Sequence, residues 1–121
     1  MDLTTTTRQA GDVTIVDLTG RIALGEESAA VRNLVMDLLS QGHARILFNM
    51  AAVDYVDSSG LGALVSSVTS VRKAGGEMKL VNLSDKVDDL MEVTRLYTVF
   101  DIPDNEEAAL KSFGKTSAAG A

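Results

Sequence analysis

The strongest constraint on how this chain folds is its alternation of short apolar runs with longer stretches of helical periodicity. Strand-like segments at Leu3 to Gln9, Val13 to Leu18, Arg45 to Met50, Glu77 to Val81 and Val99 to Ile102 alternate with expected helices. The helices fall over Glu27 to Gln41, Ser59 to Ala74 and Asp85 to Thr94, with a last one opening at Pro103. Only the first two strands follow each other directly, through the turn chemistry of Ala10-Gly11-Asp12, so they read as a hairpin. Each later strand is reached through a helix, and such right-handed crossovers set strands parallel. The expected fold is a single α/β domain: a mixed, mostly parallel sheet with an N-terminal hairpin and helices packed on it.

The helices declare themselves by spacing. Val31, Leu34, Val35, Leu38 and Leu39 make one apolar stripe, closed by Gly42, and Glu26 and Glu27 suit the positive N-terminal end. Leu61, Leu64, Val65, Val68 and Val71 make the second, stopped at Gly75-Gly76; Val87, Leu90 and Met91 make the third, capped by Ser84 or Asp85. Ile46-Leu47-Phe48 is too short for a helix and reads as a buried strand, followed by a loop over Ala51 to Asp57. In the last helix Asp104 is the expected cap, with Glu107 reaching back as in a capping box. The domain is expected to span residues 1–113, and residues 114–121, small, polar and aperiodic, read as a flexible tail.

Composition removes several classes of function. A chain of 121 residues buries about two-thirds of its unfolded surface, enough for one core, which must be aliphatic because aromatics are 4% and Trp is absent. Without Cys there are no disulfides, thiol nucleophiles or thiolate metal sites, and the single His43, read as a surface loop residue, excludes a His-rich one. A net charge of −6, with Arg72-Lys73 as the one adjacent basic pair, disfavours nucleic acid. No run approaches the ~18 apolar residues of a membrane span. The N-terminus, with Asp2 and the Thr4 to Thr7 run, lacks signal-peptide character, so a cytoplasmic location is expected, with no membrane partner and no cofactor or metal.

Chemistry concentrates between Val53 and Gly62, where a buried strand passes into a helix through small hydroxyl and glycine residues. Ser58 falls near a helix N-terminus, where unpaired N–H groups and the dipole favour an anion, beyond the carboxyl end of a strand. The same residues are also ordinary caps and close-packing glycines, and spacing alone favours that plainer role. The pattern of a hydrolase nucleophile elbow is not met, since Val56 or Asp57 occupies the first glycine position and His43 precedes the serine. Gly114-Lys115-Thr116 echoes a P-loop, but Ala109 replaces its first glycine. Asp54 and Asp57 read as turn and cap residues, not as ligands of a hard cation.

The run Asp-Ser-Ser-Gly-Leu-Gly at Asp57 to Gly62 resembles the signature of anti-sigma factor antagonists of the STAS domain family. The resemblance extends through the Leu18-Thr19-Gly20 strand end, Arg45 to Met50, Arg72 to Met78 and Phe100-Asp101-Ile102, covering Leu3 to Phe113. It implies a STAS-like fold and a binding switch that is itself no enzyme. Ser58 would be phosphorylated by a partner anti-sigma factor that is also a serine kinase, Ser59 being the neighbouring, usually unmodified hydroxyl. The unmodified form would hold the anti-sigma factor and free the sigma factor; the phosphorylated form would let go, and a metal-dependent phosphatase would reset it. The implied partner surface comprises Asp57, Ser58, Ser59, Gly60, Leu61 and Gly62 with Ala23, Leu24, Gly25 and Glu26, on a monomer or weak dimer. Asp57 would shape the loop and meet the kinase, while Gly60 and Gly62 would permit close backbone approach. The chain departs from the pattern at Gly20-Arg21-Ile22-Ala23-Leu24-Gly25, which lacks an aspartate common there; Glu26 and Glu27 supply acidity nearby. Asn49-Met50-Ala51-Ala52 is likewise less acidic than usual. STAS domains also serve as binding subunits of transport, lipid-trafficking or signalling assemblies, an alternative that the intact serine disfavours.

Overall fold

The computed structural model describes residues 2–114. Thr-rich β1 (Leu3–Ala10) turns at Gly11, whose φ of 62° suits glycine, and returns as β2 (Val13–Ile22) in an antiparallel ladder. Chain crossovers then lay β3 (Arg45–Val56) parallel to β2 and β4 (Glu77–Val81) parallel to β3, giving the order β1-β2-β3-β4. The mixed, mostly parallel sheet and its hairpin match the expectation. The intervening helices are α1 (Glu26–Ser40), α2 (Ser58–Lys73) and α3 (Asp85–Thr94), followed by a 3₁₀ turn at Leu96–Thr98 and α4 (Glu106–Ser112).

Both faces of the sheet are covered. On one, Val16, Leu18, Ile46, Phe48 and Leu80 pack against Val31 and Val35 of α1, Leu64 and Val68 of α2 and Met91 of α3. Each such fully buried side chain contributes roughly 1.5–3 kcal/mol over remaining in water. On the other, Val13, Ile15, Leu47 and Val81 lie beneath Ala109 of α4 and Phe113. Lys79 is buried on β4 at 2% exposure; its ammonium meets Asp101 Oδ2 at 2.5 Å and lies 5.1 Å from the centre of the Phe113 ring.

Three sequence expectations need correction. The loop expected over Ala51 to Asp57 is strand as far as Val56, because β2 itself continues to Ile22 and supplies a partner, with Thr19 opposite Ala52 and Ile22 opposite Val56. Register shifts after Asp17 and Gly20 break the two-residue alternation that would have revealed it. The fifth strand, expected at Val99 to Ile102, shrinks to a single parallel bridge between Lys79 and Asp101. The N–H groups of Val99 and Phe100 turn back to Leu96 O, and Pro103 has no N–H with which to extend the ladder. Finally, Asn105 caps α4 in place of Asp104, accepting from Ala108 N at 2.8 Å. Glu107 therefore sits too early for a capping box and pairs with Lys111 at 3.1 Å. The P-loop echo at 114–116 and the expected tail lie outside the described residues apart from Gly114.

Candidate partner-binding site where β2 and β3 end

Parallel pairing brings the ends of β2 and β3 together, Ile22 opposite Val56, so the β2–α1 and β3–α2 connections leave the same edge of the sheet. Asp57 ties them to each other. Its backbone N–H donates to Ile22 O at 3.3 Å, and its extended backbone places the carboxylate over the start of α2. There Oδ1 accepts from Gly60 N at 2.8 Å, the N-cap bond, while Oδ2 accepts from Leu24 N at 2.9 Å in the other connection. The Gly60 N–H above all, with those of Leu24 and Ser59 and the charge of Arg21, holds the Asp57 carboxyl below the ordinary aspartate range against the opposing effect of desolvation. Asp57 is thus an anion that clamps two loops.

Ser58 is the first residue of α2 and is exposed, whereas Ser59 is half-buried. Its position on the first turn lies in the field of the helix's positive end, where a phosphoryl group is tolerated. Beside it Leu24 is 76% exposed, and Gly25, with a φ of 95°, starts α1. The β2–α1 connection is firmly held: the buried Ser28 donates its hydroxyl to Ala23 O at 2.7 Å.

The expected site residues separate into three groups, of which Asp57 and Ser59 make the half-buried one. Ser58, Gly62, Leu24, Gly25 and Glu26 face solvent. Ala23, Gly60 and Leu61 are buried, so they shape the surface from beneath. At Gly60 a Cβ would lie 2.0 Å from Ile22 O, which leaves room for glycine alone; at Gly62 a Cβ would meet nothing within 4 Å. The close packing of the helix on the sheet expected of both glycines therefore belongs to Gly60 only. Asp54 is exposed on β3, away from the clamp made by Asp57, and no cluster of three potential metal-ligating His, Asp or Glu residues occurs among the described residues. His43 precedes β3 at the opposite end of the strand, half-buried, with Nδ1 3.3 Å from Gln9 Nε2. Among the described residues no helix is long and apolar enough to cross a membrane.

Sequence reasoning missed one pair at this edge. Arg21 and Tyr55 are opposite each other on β2 and β3, and the guanidinium stands 5.1 Å from the centre of the Tyr55 ring, which is 46% exposed. Their pairing depends on the strand extension, and two bulges conceal that extension in the sequence.

The chain is similar to known proteins in both sequence and fold. The chain is 32% identical over 96 residues to the anti-sigma-B factor antagonist of Bacillus subtilis, spanning 79% of this chain and 86% of that protein. The crystal structure of a candidate anti-sigma factor antagonist from Thermotoga maritima superposes with a TM-score of 0.80 at 25% identity, covering 90% of this chain and 93% of that one. The phosphorylated form of the Bacillus cell fate determinant SpoIIAA shares the fold, with a TM-score of 0.67 at 18% identity over 89% of this chain and 97% of that one. The sequence model of the STAS domain matches residues 4–109, so the chain belongs to the STAS domain family.

Proposed function

We propose that this protein is an anti-sigma factor antagonist whose binding is switched at Ser58. Unmodified, it holds an anti-sigma factor that is also a serine kinase and so frees the sigma factor; phosphorylated on Ser58, it lets go, and a metal-dependent phosphatase returns it to the binding form. Catalysis comes from the partners, and the exchange takes place in the cytoplasm. The observation that carries this reading is the exposed Ser58 on the first turn of α2, joined through the Asp57 clamp to the exposed Leu24. The surface offered to the partner is Leu24, Gly25, Glu26, Ser58 and Gly62, with Asp57 and Ser59 behind it.

Electrostatics favours a switch that blocks an interface over one that refolds the chain. A phosphoryl group adds roughly −1.5 to −2 charge, and the helix end offsets about 0.3–2 kcal/mol of the local cost. In a partner interface the same group must be desolvated, and about 4 kcal/mol of penalty weakens binding a thousandfold. In keeping with this, SpoIIAA in its unphosphorylated form and SpoIIAA in its phosphorylated form each share the fold of this chain. Incubation with the cognate anti-sigma kinase and ATP, followed by mass spectrometry, tests the reading: a single phosphate on Ser58 is expected, and a phosphate elsewhere, or none, defeats it.

A further inference from the structure

The described residues also carry a concave surface whose lining includes neither Ser58 nor Leu24. An open groove of about 840 Å³ lies beyond the end of β4, between α3 and the segment that leads into α4. Leu83, Ile102 and Pro103 give it an apolar lining, the half-exposed Tyr97 flanks them, and the carboxylates of Asp88, Glu92 and Asp104 are exposed around them. We propose that this groove docks an extended, lysine- or arginine-rich segment of a partner protein carrying an apolar anchor, and does so whether or not Ser58 is phosphorylated. This goes beyond the Ser58 switch and does not rest on it.

Charge is the first argument. Residues 84–107 hold eight of the seventeen acidic residues and two of the eleven basic ones, so this short stretch accounts for the whole net charge of −6 and the rest of the chain is balanced. Within it, Asp101 is engaged by Lys79, Glu106 by Arg8 and Glu107 by Lys111. The groove carboxylates Asp88, Glu92 and Asp104, with the exposed Asp85 and Asp89 nearby on α3, outweigh the charge of Arg95, which also lines the groove. A field of that sign attracts a cationic chain and repels phosphate-bearing ligands, nucleotides and anionic lipid headgroups alike.

Shape is the second argument. Asn82 and Arg95 are the two non-glycine residues with positive φ among the described residues, at 59° each, and both line the groove. The left-handed turn at Arg95 ends α3 and swings the chain into the 3₁₀ turn, leaving Tyr97 52% and the neighbouring Val93 83% exposed. An acidic rim around apolar lining suits a segment that combines cationic side chains with one apolar anchor.

The independence from Ser58 rests on the two surfaces having no residue in common. None of the residues lining the groove lies in the β2–α1 or β3–α2 connections or at the start of α2, which carry Leu24 and Ser58.

The test uses the full chain and a fluorescein-labelled decapeptide of lysines with one central tryptophan, followed by anisotropy and by amide spectra. Amide shifts centred on Asn82, Glu92, Arg95 and Tyr97 are expected, with affinity reduced about tenfold or more in Asp88→Lys/Glu92→Lys. Affinity is expected to stay within about twofold in Ser58→Glu and in the control Asp2→Lys/Asp37→Lys, with Asp88→Asn/Glu92→Gln intermediate. Equal weakening by the control pair, shifts centred elsewhere, equal binding of a glutamate version of the peptide, or shifts produced in the groove by a guanine nucleotide in its place would overturn the proposal. Loss of binding in Ser58→Glu would overturn the claimed independence while leaving the switch itself intact.

Discussion

Asp57 and Leu24, 33 positions apart in sequence, are joined by a 2.9 Å hydrogen bond from the Leu24 amide to the Asp57 carboxylate. The same carboxylate caps α2 through Gly60, so the loop that presents Leu24 and the helix that presents Ser58 share one anchor. Asp57→Ala removes both bonds while leaving Ser58 in place. Phosphorylation of Ser58 by the cognate kinase is expected to slow about 10- to 100-fold, since small misplacements of a reacting group cost that much. Single-turnover phosphorylation with the variant checks this; an unchanged rate would mean that the clamp does not position the serine.

The clamp has a signature in pH. Hydrogen bonds from Gly60, Leu24 and Ser59 favour the charged carboxylate, so the folded-state pKa of Asp57 lies below its unfolded value of about 3.9. The stabilisation is therefore complete above that unfolded value and is lost as pH falls through the depressed folded one. The carboxyl carbon of Asp57 is expected to titrate below pH ~3.9, together with the Gly60 amide, and to show no change between about pH 5 and 8. A midpoint at or above ~3.9 contradicts the hydrogen-bonding scheme.

The two glycines of the motif respond in opposite directions. Gly60→Ala drives a methyl group into Ile22 O and is expected to cost about 1–3 kcal/mol in urea unfolding. Gly62→Ala has open space and helical backbone, so it is expected to stabilise by about 0.5–1 kcal/mol. The same variant weakens anti-sigma factor binding if Gly62 faces the partner, as proposed. A destabilised Gly62→Ala would show that the exposed helix face is read incorrectly.

Lys79 is a buried cation matched to Asp101, whose own carboxylate is 42% exposed. Asp101→Ala leaves the ammonium without its shortest contact and is expected to cost about 2–3 kcal/mol. Adding Lys79→Met, which keeps the packing under Phe113, is expected to restore most of that loss. Additive effects in this double-mutant cycle would remove the pair from the reasons α4 and its Phe113 cover the sheet.

Much of the fold is legible in the sequence because its signals are local. The i, i+3, i+4 spacing of Val31 to Leu39 and of Leu61 to Val71 marks α1 and α2, and Asp57 to Gly62 identifies the helix start that matters for function. What stays hidden depends on pairing between distant residues. The extension of β3 to Val56 needs Arg21 and Ile22 as partners across bulges, and the Arg21–Tyr55 contact follows from that register. The last strand fails because Phe100 N is engaged by Leu96 O and Pro103 cannot donate, a competition that the apolar run Val99 to Ile102 does not display. The distinction between Gly60 and Gly62 likewise comes from one carbonyl, that of Ile22, on another strand.

The most direct measurement is calorimetric titration of the cognate anti-sigma factor into the unmodified protein and into protein phosphorylated on Ser58, with amide spectra of both forms. Affinity is predicted to fall about a thousandfold on phosphorylation, for a penalty near 4 kcal/mol, with spectral changes confined to the surroundings of Ser58 and Leu24. Equal affinities for the two forms, or a phosphorylated form whose amides shift throughout the sheet, would contradict a switch that works by blocking the interface.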